Sequence, residues 1–206
     1  GMTKLLFAVT AADHWTLKDG SKHPTGFWAE ELVESHRTFI EAGFDVVVAT
    51  PGGTAPVVDE GSLSVDANGG DEAKVADQKE YLASIESTLQ KPLALEEQKA
   101  ADIVAIFVPG GHGPMEDLAV SSQFGALVSD FLDGGKLVST VCHAPAALLP
   151  ARRSDGAWAF DGYELTGFTD EEETQAGLAD VAPWLLETRL RESGAKFSSG
   201  AAWGPH

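Results

Sequence analysis

The sequence predicts an α/β protein, a three-layer sandwich around a mostly parallel sheet, and three observations support this prediction. Apolar runs rich in β-branched residues recur at residues 4–10, 44–50, 102–108 and 136–141, as expected of strands covered on both faces. Helix-forming stretches separate them, and strands joined through helices pair in parallel. Gly- and Pro-containing turns end most of the runs. In such sheets the functional site lies at the carboxyl ends of the strands.

The first third of the chain gives a strand, a helix and a second strand. The strand at residues 4–10 is followed by a polar loop at 11–25 and then by a helix at 27–42. Gly43 is placed where a glycine typically ends a helix, because only glycine adopts the left-handed cap conformation without cost. The second strand, 44–50, stops at Pro51-Gly52-Gly53.

The remaining elements continue the alternation. Residues 54–75 are rich in Gly, Asp and Ser and predict irregular surface structure. The later elements are predicted as helices over 77–89 and 94–99, the strand 102–108, a helix over 122–132, the strand 136–141, a hairpin or edge strand over 157–168 around Asp161-Gly162, a helix opening near Thr169-Asp170, and a helix over 182–192 ended by Gly194. No repeat or linker divides the chain, so we expect a single domain over residues 1–206.

Composition excludes several classes of function. The formal net charge of −18 argues against nucleic acid and anionic membranes as partners, because phosphate binding needs clustered Lys and Arg. No apolar run is long enough to span a membrane. A lone cysteine cannot form an intramolecular disulfide, and the start of the chain lacks a signal-peptide layout, so we expect a cytoplasmic protein. Gly1 before Met2 is typical of an expression scar.

Cys142 is the candidate nucleophile. It stands where the apolar strand 136–141 meets a helix start marked by Pro145 and the following Ala and Leu residues. A sharp strand-to-helix turn of small residues is the geometry of a nucleophile elbow, and a thiol facing a helix N-terminus is expected to favour thiolate. A lone cysteine in a strand is more often a small buried hydrophobe. The junction, the adjacent His143 and the partners described next favour the nucleophile.

Glu31 and a glycine-rich loop are the candidate partners of Cys142. Glu31 lies off the charged stripe of its helix, on the flank nearer the apolar face, where a carboxylate needs a partner. Gly110-Gly111-His112-Gly113 directly follows a buried strand, and glycines there can point amide N–H groups at a ligand, as an oxyanion hole requires. A plain tight turn and a packing histidine are the alternative interpretation of that loop.

An acidic run is interpreted as structural, and motifs for binding a metal or a nucleotide are absent from the sequence. The run Asp170-Glu171-Glu172-Glu173 after Thr169 predicts an N-cap and an acidic first helical turn. The histidines show no ligand spacing such as His-Glu-x-x-His, and no Walker or dinucleotide fingerprint is present. We therefore expect thiol chemistry that uses neither a metal nor a cofactor.

These residues together resemble the ThiJ/PfpI superfamily, whose flavodoxin-like fold is similar to that of class I glutamine amidotransferases. The likeness is carried by Thr25-Gly26-Phe27-Trp28-Ala29-Glu30-Glu31, by Pro109-Gly110-Gly111-His112-Gly113 and by Val141-Cys142-His143-x-Pro145-Ala146. A fourth block, Thr166-Gly167-Phe168-Thr169-Asp170-Glu171-Glu172, resembles the branch of heat-shock chaperone-like, glutathione-independent glyoxalases. Adjacent Cys142-His143 argues against glutamine hydrolysis, since true glutaminase domains carry their catalytic histidine far downstream.

The resemblance implies roles for the matching positions. Cys142 would be the nucleophile, His143 its neighbour in proton transfer, and Glu31 the carboxylate against the sulfur. The backbone amides of Gly111 and His143 would form the oxyanion hole, and the oxyanion and substrate-binding positions would be Gly110, Gly111, His112, Trp28 and Phe168. The chain departs from the pattern at Ala144, where glycine is usual, and it stops at Trp203-Gly204-Pro205-His206, short of the closing segment expected in relatives.

The function implied is conversion of methylglyoxal-type 2-oxoaldehydes to 2-hydroxy acids without glutathione, as a glyoxalase III or D-lactate dehydratase, with protein deglycation as a related activity. Two other classes stay open. One is a cysteine hydrolase, a peptidase or amidase; the other is a stress-related holdase chaperone or redox sensor in which Cys142 is oxidised. By resemblance, a homodimer is expected, with a small 2-oxoaldehyde as the substrate.

Overall fold

The fold is built on one parallel sheet with helices on both faces. The structure, a computed structural model, describes residues 4–199. The strands are β1 (Lys4–Ala8), β4 (Asp45–Thr50), β5 (Leu93–Ala94), β6 (Ala105–Val108) and β7 (Leu137–Thr140), in the spatial order β5-β4-β1-β6-β7. All neighbours pair in parallel. Apart from the short β5, the order is that of a flavodoxin-like sheet, so the predicted fold class is confirmed.

Alternation along β1 sends side chains into two separate cores. Leu5 and Phe7 pack with Leu32 of helix α1 (Ala29–Glu41), whereas Leu6 and Ala8 pack with residues of helix α5 (Ser122–Asp133). Successive side chains on a strand point to opposite faces, so a continuous apolar run requires a layer on each side. This arrangement is the predicted three-layer sandwich.

The other helices and strands complete the layers and the edges. They are β2 (His14–Thr16), β3 (Lys22–Pro24), α2 (Glu72–Ser84), α3 (Glu86–Gln90), α4 (Gly113–Glu116), β8 (Glu164–Leu165), α6 (Asp170–Gln175), α7 (Leu186–Glu192) and β9 (Lys196–Phe197). Across residues 4–199, no helix combines the length and the apolar character that a membrane crossing needs.

Several predicted elements are corrected by the structure. The hairpin over 157–168 is wrong: β8 pairs in parallel with β9, and the turn at Gly162 is held instead by its N–H, which donates to the Gly194 carbonyl (2.9 Å). The loop 11–25 contains the antiparallel β2–β3 pair. The helix predicted at 77–89 begins at Glu72, where Asp71 caps it. These differences arise from contacts distant in sequence, which local patterns do not encode.

Gly43 follows helix α1 with a φ of 90°, as predicted for its cap. Gly1 and residues 203–206, about which the sequence raised expectations, lie outside the described residues.

Candidate active site

Cys142 lies at a strained turn between β7 and a 3₁₀ turn, Ala144–Leu148. Its φ is +56°, the one positive value at a non-glycine position among residues 4–199. Such a conformation costs roughly 1–2 kcal/mol for a residue with a Cβ, so the surrounding contacts must hold it. The Cys142 carbonyl accepts a hydrogen bond from the Phe168 N–H (2.9 Å), and the Ala144 N–H donates to the Val141 carbonyl (2.8 Å). The predicted elbow is therefore present.

The sulfur of Cys142 lies near groups that can accept a proton or donate a hydrogen bond. Burial and the negative charge of Glu31 raise the pKa of the Cys142 thiol well above its ordinary value. Hydrogen bonds from the backbone N–H groups of Gly111 and His143 act in the opposite direction without overcoming that rise. The expectation that the elbow itself favours thiolate is thus wrong for the free protein. Ionisation of the thiol therefore needs a partner that accepts its proton.

Glu31 is one such partner. Its Oε1 accepts the Gly110 N–H (2.8 Å), and a hydrogen bond links its carboxyl group to the Cys142 side chain. Burial raises the pKa of Glu31 to about 7, and these hydrogen bonds offset only part of the rise. The neighbouring Glu30 instead forms a salt bridge with Lys74 (2.7 Å) on the surface. Helix α1 therefore directs Glu31, and not Glu30, toward the sulfur, as the sequence predicted.

The glycine loop after β6 allows this close approach. A Cβ on Gly110 would lie 2.5 Å from Glu31 Oε1 and 2.7 Å from Cys142 Cβ. Gly111 has a φ of +98°, and a Cβ there would lie 2.4 Å from the Gly26 carbonyl oxygen. The Gly110 N–H is already donated to Glu31, which corrects the expectation that Gly110 contributes to an oxyanion hole. Of the two loop amides, the Gly111 N–H is the one directed at the sulfur.

We expect Gly110→Ala to lower activity at least tenfold while the protein stays folded, because the new methyl group separates Glu31 from Cys142. Overpacking of this kind costs about 1–3 kcal/mol. Gly134→Ala is the matched control, since a Cβ at Gly134 would meet nothing closer than 3.4 Å. Thermal denaturation and the lactate assay described below measure the two effects. Full activity of Gly110→Ala would show that the contact between Glu31 and Cys142 is dispensable.

His143 is the second partner of the sulfur. Its Nδ1 lies 3.3 Å from Cys142 Sγ, and its Nε2 lies 2.7 Å from Glu173 Oε2. Burial, together with the neighbouring His112 side chain, lowers the pKa of His143 to about 4 despite the hydrogen bond to Glu173. A neutral imidazole that donates from Nε2 to the carboxylate leaves its Nδ1 lone pair facing the thiol. The three side chains have the geometry of a Cys-His-Glu triad.

Glu173 is shared between two imidazoles. Its Oε1 lies 2.8 Å from His112 Nε2, and the His112 ring packs 3.9 Å from the His143 ring, measured between centroids. Burial penalises the charge of Glu173, yet the hydrogen bonds from both histidines outweigh this penalty and lower its pKa to about 2. His112 was expected at the oxyanion or substrate position; its side chain instead holds Glu173. The Trp15 ring also stacks with the His112 ring, with centroids 4.8 Å apart.

His112, His143 and Glu173 are also the residues that could hold a metal ion. Their potential ligand atoms all lie within 4.8 Å of one another. The search of sequence spacings missed this set because the three residues come from three separate segments. Both Nε2 atoms already lie at hydrogen-bond distance from the carboxylate, so hydrogen bonding alone accounts for the arrangement. That the site works without a metal stays a prediction.

The two aromatic residues predicted for the pocket are placed differently. The Phe168 ring packs on the His143 ring with centroids 4.1 Å apart, so it covers the imidazole. Trp28, at the N-terminus of α1, contributes its backbone N–H, which donates to the Gly110 carbonyl (2.9 Å). The structure thus brings Cys142, His143, Glu31, Gly111 and Phe168 together.

Sequence analysis missed Glu173 as a member of the site. The run 170–173 does begin a helix, with a capping box formed by Thr169 and Glu172. Glu173 is 2% exposed, however, whereas Glu171 faces solvent. A helix of this length turns about 100° per residue, so one member of an acidic run can face inward. In the sequence, only its position could have indicated that Glu173 belongs to the site. It lies one turn after the Thr169 cap, in a segment adjacent to Phe168.

Comparison with known proteins shows the family of this chain. The DJ-1/PfpI family matches residues 24–159. Protein/nucleic acid deglycase HchA of Pseudomonas aeruginosa is 32% identical over 96% of this chain and 69% of its own length. Rapid Encystment Protein 24 KDa of Francisella tularensis superposes with a TM-score of 0.86 at 26% identity, covering 100% of this chain and 87% of that one. Glyoxalase III of Candida albicans shares the fold, with a TM-score of 0.83 at 22% identity over 100% of this chain and 86% of that one. The chain therefore belongs to the DJ-1/PfpI family.

Proposed function

We propose that this protein converts 2-oxoaldehydes such as methylglyoxal to 2-hydroxy acids without glutathione, with Cys142 as the nucleophile. The observation that supports this most directly is that two proton acceptors, the Glu31 carboxylate and His143 Nδ1, are both directed at one sulfur. Isomerisation of an aldehyde at a sulfur requires a proton to leave the thiol and another to move between two carbons. The relationship to HchA supports the same chemistry.

The first step joins the sulfur to the aldehyde carbon. The S–H proton passes to His143 Nδ1 or to Glu31 as the C–S bond forms, and the aldehyde oxygen takes up a proton to give a hemithioacetal. The Gly111 and His143 backbone N–H groups, which face the sulfur, are near the oxygen as its charge develops. Glu173 stabilises the imidazolium that forms when His143 accepts the proton.

The second step moves hydrogen between the two carbons. A base removes the C–H proton of the hemithioacetal, giving an enediolate, and reprotonation of the neighbouring carbon yields a 2-hydroxy thioester. The aldehyde carbon is oxidised and the ketone carbon is reduced, so no external oxidant is consumed. Water then cleaves the thioester to release the hydroxy acid and the free thiol. A positioned acid–base group contributes about 10²–10⁴-fold to such steps.

The direct test is the formation of D-lactate from methylglyoxal in the absence of glutathione or any other thiol. A panel of fluorogenic peptides and esters, assayed in parallel, examines the cysteine hydrolase alternative. We expect lactate and no cleavage of the panel, because Glu31 provides a second base that simple acyl transfer does not require. Cleavage of peptides or esters without lactate formation would replace the proposal by the hydrolase.

Deglycation is the second candidate, favoured by the name of the relative that shares 32% identity. Adducts of methylglyoxal with amines release the aldehyde slowly, so an enzyme acting only on free aldehyde cannot exceed that release rate. Incubating a preformed methylglyoxal–arginine peptide adduct with the enzyme separates the cases. A rate above spontaneous release supports action on the adduct. A rate equal to spontaneous release limits the activity to free 2-oxoaldehydes.

The pH profile tests the role of Glu31. Its carboxyl group accepts a proton only when ionised, so kcat/KM is expected to rise with pH up to about 7, the raised pKa of Glu31, and then level off. Glu31→Gln should remove the rise and lower the plateau at least tenfold, whereas Glu30→Gln should keep both. An unchanged profile in Glu31→Gln would remove Glu31 from the proposed mechanism.

The same ionisation affects stability, with the opposite sign. The folded-state pKa of Glu31 is raised, so folding favours its neutral form. The contribution of Glu31 to the free energy of unfolding is complete below the ordinary pKa of a carboxyl group and is lost as pH rises toward 7. Urea denaturation at pH 5 and pH 8 should show wild type losing more stability than Glu31→Gln.

The homodimer, the chaperone or redox-sensor role and the cytoplasmic location stay predictions.

A further inference from the structure

A surface depression whose lining includes neither Cys142 nor Glu31 carries two arginines and no acid. Its volume is about 250 Å³, and Arg152 and Arg189 are among the residues that line it. We propose that this depression binds an organic anion, a phosphate or carboxylate group carried on an aromatic or aliphatic body. The proposal does not depend on the function proposed for Cys142.

The charges make the site unusual within this chain. The chain has a formal net charge of −18, so an anion is repelled by the molecule as a whole and needs a specific local site. Arg37 and Arg191 are each paired with a carboxylate at 2.9 Å. Within residues 4–199, no carboxylate lies within salt-bridge distance of Arg152 or Arg189, and both are exposed. Two unpaired guanidinium groups are thus available to a ligand.

The remaining lining indicates what the anion is attached to. Beside the arginines the depression is lined mainly by apolar residues, with Ser193 as a further hydrogen-bonding group. These apolar residues include Val120, Leu149 and Trp184. Val120 is 77% exposed, so its side chain offers apolar surface to a ligand. A ligand that combines an anionic group with an apolar body would cover these side chains and pair with the guanidinium forks.

The framework around the arginines is fixed. The Arg152 carbonyl accepts a hydrogen bond from Ser129 Oγ (2.8 Å), and Arg152 forms a β-bridge with Trp158. The Arg189 guanidinium stacks over the Trp184 ring at 4.6 Å from its centroid. Trp184 and Leu149 in turn pack against the larger core. The backbone and the apolar wall are therefore held in place without a ligand.

A second depression shares Trp184 and Arg189 with the first. Its volume is about 270 Å³, and Lys18 and Thr188 are among the residues that line it. A third cation thus lies along the same groove, although Glu192 is present there as well. An elongated acidic ligand would reach Lys18, whereas a small one would remain between the two arginines.

The experiment is a titration of the full chain with phenyl phosphate, followed by ¹H–¹⁵N NMR. The backbone resonances of Arg152 and Arg189 and the Trp184 indole N–H are expected to shift, with a dissociation constant below about 1 mM. Inorganic phosphate should bind more weakly because it lacks the ring. An acidic peptide containing one phenylalanine distinguishes the sources of the anion. Tighter binding of the peptide assigns the site to a polypeptide, and tighter binding of phenyl phosphate assigns it to a small metabolite.

Variants make the test specific. Arg152→Gln and Arg189→Gln should each weaken phenyl phosphate binding about tenfold, the loss of one charge-assisted pair. Arg153→Gln is the control, since Arg153 is exposed and adjacent but does not line this depression. Thermal denaturation checks that each variant is folded. No resonance shifts at about 10 mM ligand, or equal losses in all three variants, would overturn the proposal.

Discussion

Cys142→Ala is expected to reduce lactate formation from methylglyoxal at least about 10³-fold, to the level of the uncatalysed reaction. Every step of the proposed route takes place on an adduct that is bonded to this sulfur. Without the thiol, Glu31 and His143 have no hemithioacetal on which to act. Alanine removes only the thiol and leaves the backbone unchanged. The fold maintains the φ of +56° through backbone hydrogen bonds that do not involve the sulfur, so the elbow should persist.

The measurement is single-wavelength detection of D-lactate through a coupled dehydrogenase, with wild type and variant at equal concentration. Circular dichroism and thermal denaturation establish that the variant is folded. Cys142→Ser serves as the conservative comparison, because a hydroxyl is isosteric but far less acidic than a thiol. Retention of more than a tenth of wild-type activity by Cys142→Ala would rule out the nucleophile assigned here.

Glu173→Gln is expected to lower kcat at least about 10²-fold with a smaller change in KM. The carboxylate accepts from Nε2 of both His112 and His143. A carboxamide presents one oxygen and one NH₂ group, so it can accept from only one of these histidines. The other must reverse its tautomer or lose its partner, and if this is His143, its Nδ1 carries the proton and cannot accept one from Cys142.

Two comparisons separate this effect from a loss of stability. Glu171→Gln is the matched control, because Glu171 is exposed in the same helical turn. His112→Gln should lower kcat less than Glu173→Gln does, because the Glu173 carboxylate keeps its hydrogen bond to His143. The ¹⁵N chemical shifts of the His143 ring report its tautomer directly. A Glu173→Gln protein with normal kcat and an unchanged His143 tautomer would exclude the triad role of Glu173.

Local patterns were sufficient for much of the fold. The buried strands, the helix that carries Glu31 and the turn after residue 141 each depend on neighbours within a few residues, through apolar periodicity and turn chemistry. By contrast, the pattern around Asp161-Gly162 predicts a hairpin or an edge strand without identifying its partner, and β8 pairs with Lys196–Phe197. An Asp-Gly turn indicates where the chain reverses but does not specify which strand pairs with which. That choice depends on packing between distant segments.

For the site, the sequence by itself determined the position of Cys142 at a strand-to-helix turn and the inward displacement of Glu31, since both follow from periodicity. Only the tertiary structure decided that Glu173 joins His143 and His112, 30 and 61 residues away along the chain. It also decided the direction of the pKa shifts: burial raises the pKa of the Cys142 thiol well above its ordinary value and raises the pKa of Glu31 to about 7. The physical reason is that desolvation and hydrogen-bond partners are properties of the packed molecule, whereas residue spacing reports only which side of an element a side chain occupies.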